Sequence, residues 1–451
     1  MAEFDLLIRA PRAVVGQAEV SCAVAVRRGM VAALTEDDAR AADLVAEEVV
    51  ELGTDEVLLP GLVDTHVHVN EPGRTDWEGF ATATRAAAAG GVTTIVDMPL
   101  NALPPTIDVP ALEAKRSAAA GQAYVDVGFF GGAVPDNLGT LRPLHNAGVF
   151  GFKCFTIESG VDEFPALSQG ELAAAMREIA DLGGILLVHA EDAETIAAAP
   201  TATGRRYADF VRSRPPVAET RAIEAVARLA RETGVRSHVV HLSSGDAVPI
   251  VADARSRGVR LTAETCPHYL TLAAEEIADG ATEYKCCPPI RESRHRDALW
   301  DALRSGVVDA VVSDHSPSRP ELKCLDSGDF GAAWGGIASL QLGLSAVWQE
   351  ARNRGVGLAQ VVNWMAARPA DLVGLPRKGR IAVGADADFA VFAPDETFVV
   401  DAKDLHHRHP VTPYAGRTVA GRVRRTWLRG RPVDLGSDAR PTGRLLSRAA
   451  S

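Results

Sequence analysis

Between residues 60 and 375 the chain repeats one unit: a short apolar run, a turn, and an amphipathic stretch rich in alanine, leucine and charge. The apolar runs fall at 62–66, 94–98, 125–131, 149–155, 185–189, 238–242, 260–265 and 309–313. Helical patterning separates them, for example over 77–89, 172–182, 219–231 and 294–304. Glycines stand just ahead of the runs (Gly90-Gly91, Gly148, Gly183-Gly184, Gly234, Gly258, Gly306), where helix C-terminal caps belong. Strands apolar on both faces that alternate with helices predict a parallel sheet covered by those helices. Eight units predict an α/β fold of the (β/α)8 TIM-barrel type. A doubly wound open sheet is the alternative that shares this local pattern.

The two ends of the chain read differently. FDLLIRA, CAVAVRRG and MVAALTE near the N-terminus alternate or run β-branched, and the same texture returns after Lys378 in GRIAVGADADFAVFAP and GRVRRTWLRGRPV. Residues 1–59 and 376–451 therefore read as one small β-sandwich domain assembled from both termini, with the barrel, 60–375, inserted between them.

Composition narrows the class of molecule. A chain of 451 residues, 47% hydrophobic and 24% charged, has material for a large core. Its formal charge of −12 argues against nucleic acid or an anionic membrane as the main partner. Six cysteines (Cys22, Cys154, Cys266, Cys286, Cys287 and Cys324) show no metal-site spacing and no disulfide framework. The N-terminus lacks the basic-then-apolar pattern of a secretion signal, and no apolar run reaches membrane-spanning length. The expectation is a cytoplasmic protein with reduced thiols, acting on a small molecule.

Chemistry in a barrel sits at the C-terminal ends of the strands, and those ends are rich in ligands. The first closes with Asp64-Thr65-His66-Val67-His68, whose alternate side chains share one face. Later ends carry Lys153, His189, His241, His268, and Asp314 followed by His315. A lone His-x-His is more often a hydrogen-bonded core pair, but six of the chain's 12 histidines fall on this single rim. His66, His68, His189 and His241, with Asp314 as an oxygen donor, suit borderline metals such as zinc, with cobalt, manganese, nickel or iron as alternatives. That set is too large for one open site and fits two divalent ions. Lys153 then poses a choice. It is either a lysine paired with Asp97 or Asp314, or a neutral amine that takes up CO2 as an anionic carbamate bridge, and the histidines favour the carbamate. Asp314 is positioned to accept a proton from the attacking water and return it to the leaving nitrogen. Cys154 alternates to the other face of its strand and belongs to packing.

These residues resemble the amidohydrolase superfamily, and within it the cyclic amidohydrolases. Asp64-x-His66-x-His68, Lys153, His189, His241 and Asp314 match the binuclear metal motif of that family, and the likeness runs over nearly the whole chain. Asn70 stands where dihydroorotases carry a substrate-binding arginine, and Glu158 where dihydropyrimidinases carry a tyrosine. The stretch 70–80, Met98-Pro99-Leu100-Asn101, residues 151–155 and Ala333-Trp334-Gly335-Gly336-Ile337 look like the allantoinase group. Cys287 departs from the usual serine. The resemblance implies ring opening of (S)-allantoin to allantoate, a step of purine and ureide catabolism, in a homotetramer. It implies substrate contacts at Asn101 and Cys287, with His268 steadying a ligand, and a pocket without a charged clamp. Hydantoinase or dihydropyrimidinase activity is the alternative, and a non-catalytic scaffold of the same fold stands behind it. Loops 156–171 and 319–334 are candidate lids.

Overall fold

The computed structural model describes residues 2–436 and 438–448. From the N-terminus the chain forms β1 (Phe4–Val15), β2 (Ala18–Arg27), β3 (Met30–Thr35), β4 (Ala46–Glu51) and β5 (Val57–Pro60). Strand β1 pairs antiparallel with β2, and its two halves take different parallel partners: Phe4 faces Ala46 of β4, whereas Ala13 faces Leu58 of β5. A register shift between Ala10 and Ala13 bends the strand at that change of partner. Alternation along β1 is used on both faces. Leu6 and Ile8 pack with Val24, Val26 and Leu58, while Leu7 packs with Ala23 and Ala25.

The middle of the chain supplies β6 (Leu62–Val67), β7 (Val92–Asp97), β8 (Asp126–Phe129), β9 (Gly131–Gly132), β10 (Phe152–Phe155), β11 (Ile185–His189), β12 (Arg236–Val239), β13 (Leu261–Thr265) and β14 (Ala310–Val311). All neighbouring pairs among them are parallel. Strand β9 prolongs β8 past Phe130, so the nine segments occupy eight strand positions. Phe150 N donates to Phe129 O at 2.9 Å on one seam, and His68 N donates to His315 O at 2.8 Å on the other. These bonds close the cylinder, and the open-sheet alternative is ruled out. Every residue of β6, β7, β8, β10 and β11 is buried, as continuous apolar strands require.

Helices alternate with these strands and end where the glycines stood. The helix Pro216–Thr233 stops at Gly234, whose φ of 71° turns the chain so that its N–H reaches Ala230 O. Ser168 and Glu171 cap the start of Gln169–Asp181 reciprocally.

The C-terminal part returns as β15 (Phe389–Val399), β16 (Thr418–Leu428) and β17 (Arg431–Pro432). Strand β15 pairs antiparallel with β5, Leu59 facing Ala390, and completes one eight-stranded sheet ordered β17-β16-β15-β5-β1-β2-β3 with β4 beside β1. Segment 379–388, which has the texture of a strand, is irregular apart from a bridge between Asp386 and Met30, and its carboxylates join an ion cluster. Lys378 Nζ meets Asp126 at 2.6 Å, Asp388 at 2.7 Å and Asp386 at 3.0 Å, all at the base of the barrel. Arg429 closes on Asp126 from the sheet side at 2.6 Å. Among the described residues no helix is long and apolar enough to cross a membrane.

Candidate active site

The ligand-bearing residues converge at the strand ends as the barrel pattern requires. His66 lies within β6 and His68 one step past it, with their rings 5.4 Å apart. Lys153 belongs to β10 and is 1% exposed; His189 ends β11. His241 and Asp314 follow β12 and β14 by two and three residues. Both have left-handed backbones, φ 40° and 45°, a conformation that costs a non-glycine residue energy and is kept only where surroundings enforce it. Asn101, on the same rim, has φ 72°.

Two groups of donors result. His66 Nε2 and His68 Nε2 lie 3.2 and 3.3 Å from Asp314 Oδ1. His189 Nδ1 lies 3.0 Å from His241 Nε2. The His66 and His241 rings, 5.4 Å apart, join the groups into one cluster.

Carboxylates behind the rings decide which nitrogens face inward. Glu264 accepts a hydrogen bond from His66 Nδ1–H at 2.5 Å, and Glu191 accepts one from His189 Nε2–H at 2.8 Å. Each leaves a bare ring nitrogen directed at the cluster, and buried His66 Nε2 has no hydrogen-bond partner among the described residues. Burial also holds His66 and His241 well below the usual histidine range and lowers His189. Neutral, oriented imidazoles backed by carboxylates are the form in which histidine binds a metal, so the donor set fits divalent metal binding.

Lys153 fits the same picture. Asp97 is engaged by Lys115 at 2.5 Å, which removes one of the ion-pair partners expected for Lys153. Lys153 has no carboxylate within ion-pair distance among the described residues, and its Nζ stands 5.2 Å from the Phe155 ring centre. Burial brings its pKa down to about 8, against the pull of Asp314 and Glu264. The neutral amine is therefore far easier to reach than for a solvent-exposed lysine, with the ammonium still the larger share at pH 7.

Asp64 shares the strand face of the two histidines but contributes elsewhere. Its carboxylate accepts from the backbone N–H groups of His66 and Ser313, both at 3.0 Å, and so braces β6 against the chain leaving β14. Cys154 is fully buried in the core, as its alternation predicts.

The cluster forms one end of a cavity of about 270 Å³. Asn101 and Cys287 line it, as do Glu158, Arg214, Lys285 and Trp334. Arg214 and Lys285 are lining residues that the sequence reading did not place here. The arginine stands before Pro215-Pro216 in a segment with no strand or motif signal, so pattern reading passes over it. His268 does not line the cavity. It lies behind Asp314, grouped with Cys266 so that their ligand atoms fall within 4.8 Å of one another. Burial lowers its pKa to about 4. Glu191 and Glu264 were also missed, although Glu191 sits two residues past His189, on the face that strand alternation assigns to it.

Both candidate lid loops border the cavity, and the stretch 70–80 ties them down. Arg74 donates to Glu163 at 2.5 Å and to Asn101 O at 3.0 Å, and Trp77 meets Trp334 edge-on at 5.3 Å.

Residues 57–433 match the amidohydrolase family. The chain belongs to that family. This amidohydrolase is 57% identical over 449 residues to the allantoinase of Streptomyces avermitilis, covering 99% of this chain and 100% of that one. It is 47% identical over 382 residues to the allantoinase of Saccharomyces cerevisiae, 83% of this chain and 82% of that one. Its fold superposes on an L-hydantoinase (dihydropyrimidinase) from Arthrobacter aurescens with a TM-score of 0.91 at 31% identity, over 99% and 100% of the two chains. The amidohydrolase is thus a TIM-barrel hydrolase with an added β-rich unit.

Proposed function

We propose that this amidohydrolase opens the hydantoin ring of (S)-allantoin to give allantoate, using two divalent metal ions. The observation that carries the chemistry is the pair of donor groups: His66, His68 and Asp314 on one side, His189 and His241 on the other, with Lys153 beside them. Similarity to two allantoinases at 57% and 47% identity supports the substrate.

In this reading Lys153, as a neutral amine, would add CO2 and lose a proton, giving a carbamate that would serve as an anionic donor to the ions, for which zinc is the proposed identity. The ions, when bound, supply a water acidic enough to attack at neutral pH and polarise the scissile carbonyl. The chain does the rest. Asp314, held near His66 and His68 through one oxygen, takes the water proton on the other and delivers it to the departing ring nitrogen. Glu264 and Glu191 fix the ring orientations of His66 and His189. Asn101 and the backbone at Cys287 hold the hydantoin ring from the opposite wall, and His268 supports Asp314 from behind. Trp334 and Gly160, from the two loops, stand side by side at the cavity and limit water entry.

A hydantoinase or dihydropyrimidinase is the second reading, favoured by the 0.91 TM-score match. A scaffold role is disfavoured because all six donors are present and oriented. The six free cysteines fit a reducing cytoplasm, and a homotetramer is the proposed assembly. The deciding experiment is a panel of allantoin, hydantoin, dihydrouracil and dihydroorotate on metal-loaded protein, with metal counted per chain. Dominant turnover of dihydrouracil would refute the substrate assignment, and protein that binds no metal would refute the chemistry.

A further inference from the structure

Arg214 is a cavity residue that the mechanism above does not use. Its guanidinium grips Glu191 with two bonds, Nε to Oε1 at 3.0 Å and Nη2 to Oε2 at 2.5 Å. Glu191 is fully buried and also accepts the His189 Nε2 proton. Arg214 itself keeps 18% of its side chain exposed, on the cavity wall beside Cys287. Among the described residues Nη1 has no partner. The neighbouring cation is differently placed: Lys285 Nζ donates to Ala333 O at 2.5 Å and Gly331 O at 3.3 Å, holding loop backbone.

We propose that Arg214 recognises the ureido arm of the substrate, donating from Nη1 to the ureido carbonyl oxygen. The proposal rests on the allantoin reading and names the group that distinguishes this substrate from plain hydantoin. The charge arrangement selects this kind of acceptor. With Glu191 alongside, the guanidinium carries little net attraction for a free carboxylate, yet its planar N–H groups remain directional donors held in a fixed plane by the two-point grip. A neutral urea oxygen matches such a donor. The other half of the contact is steric, since the same grip leaves the guanidinium unable to swing away when the ligand lacks a partner for it. A site built around such a donor discriminates against analogues without the acceptor. The arm contact also bears on Glu191, and through it on the orientation of His189. For that reason the test must separate recognition from positioning.

The experiment compares allantoin with unsubstituted hydantoin on wild-type, Arg214→Gln and Arg214→Lys protein, with metal content and melting temperature recorded for each. Arg214→Lys keeps a cation for Glu191 and guards against a variant that fails to fold. The expected result is that the allantoin-to-hydantoin ratio of kcat/KM falls about 10- to 100-fold in both variants, the size of a lost charge-assisted hydrogen bond. Equal losses on both substrates, leaving the ratio unchanged, would overturn recognition and leave Arg214 as a positioning residue for His189. Wild-type protein that opened hydantoin but not allantoin would overturn the functional reading instead, and with it the arm to be recognised.

Discussion

Glu264 Oε1 lies 2.5 Å from His66 Nδ1, while its second oxygen receives His238 Nε2 at 2.9 Å. One buried carboxylate on β13 thus aims a ring on β6, across the barrel interior, and has a single tautomer of His66 as its consequence. Glu264→Gln keeps the shape and removes the charge. Metal affinity is expected to drop about 10- to 100-fold, as for other carboxylates that orient metal-binding histidines. Chelator competition followed by metal analysis measures it; wild-type affinity in the variant would show that His66 needs no carboxylate behind it.

Lys153→Ala should abolish turnover of every cyclic amide while leaving the fold intact, because the residue occupies one position on a strand of otherwise apolar packing. Short carboxylic acids are expected to restore part of the activity by standing in for a carbamate. Rates equal to wild type without any added acid would eliminate the carbamate.

Lys378 is surrounded by Asp126, Asp386 and Asp388, and their proximity raises its pKa above the ordinary lysine range in spite of burial. Replacing it by methionine leaves three carboxylates with Arg429 on Asp126, Arg377 on Asp386 and backbone N–H groups to answer them. A loss of about 3–5 kcal/mol in unfolding free energy is expected, the usual cost of breaking a buried ion pair from one side. Urea unfolding monitored by tryptophan fluorescence reads it directly. A change below about 0.5 kcal/mol, typical of surface positions, would place the cluster in contact with water.

Lys323 offers a pH test. Its ammonium donates to Trp334 O at 3.1 Å and to Gly336 O, fastening the loop that lines the cavity. Burial lowers its pKa from 10.5 to about 8. Between those two values the unfolded chain holds the proton more tightly, so this group makes stability rise with pH across that window; below about pH 8 both states are protonated and the penalty is constant. The gain is of order 3 kcal/mol at most. Subtracting the stability profile of Lys323→Met from that of wild type isolates it. A flat difference between pH 8 and 10 would mean that the ammonium is not desolvated.

Much of this molecule was legible before folding was considered. Alternation of apolar runs with helical stretches is a local property, and burial on both faces of a strand leaves its mark on consecutive residues, so the eight-unit barrel and its strand positions could be read directly. The same holds for His66, His68, Lys153, His189, His241 and Asp314. A donor at the C-terminal end of a parallel strand, on the inward side of the strand's alternation, faces the mouth of the barrel. The C-terminal return strands were legible for a related reason, since their alternation matches that of β1 to β3.

The partners of those donors were decided only in three dimensions. Asp64 has the chemistry of a ligand and the right face, yet Ser313 N, 249 positions away, captures its carboxylate. Glu264 finds His66 across 198 positions, and Arg214 finds Glu191 from a segment without regular pattern. The reason is physical. A side chain's direction follows from its own backbone, but the role of a charge depends on which opposite charge or bare dipole meets it after desolvation, and that neighbour is chosen by the closure of the barrel.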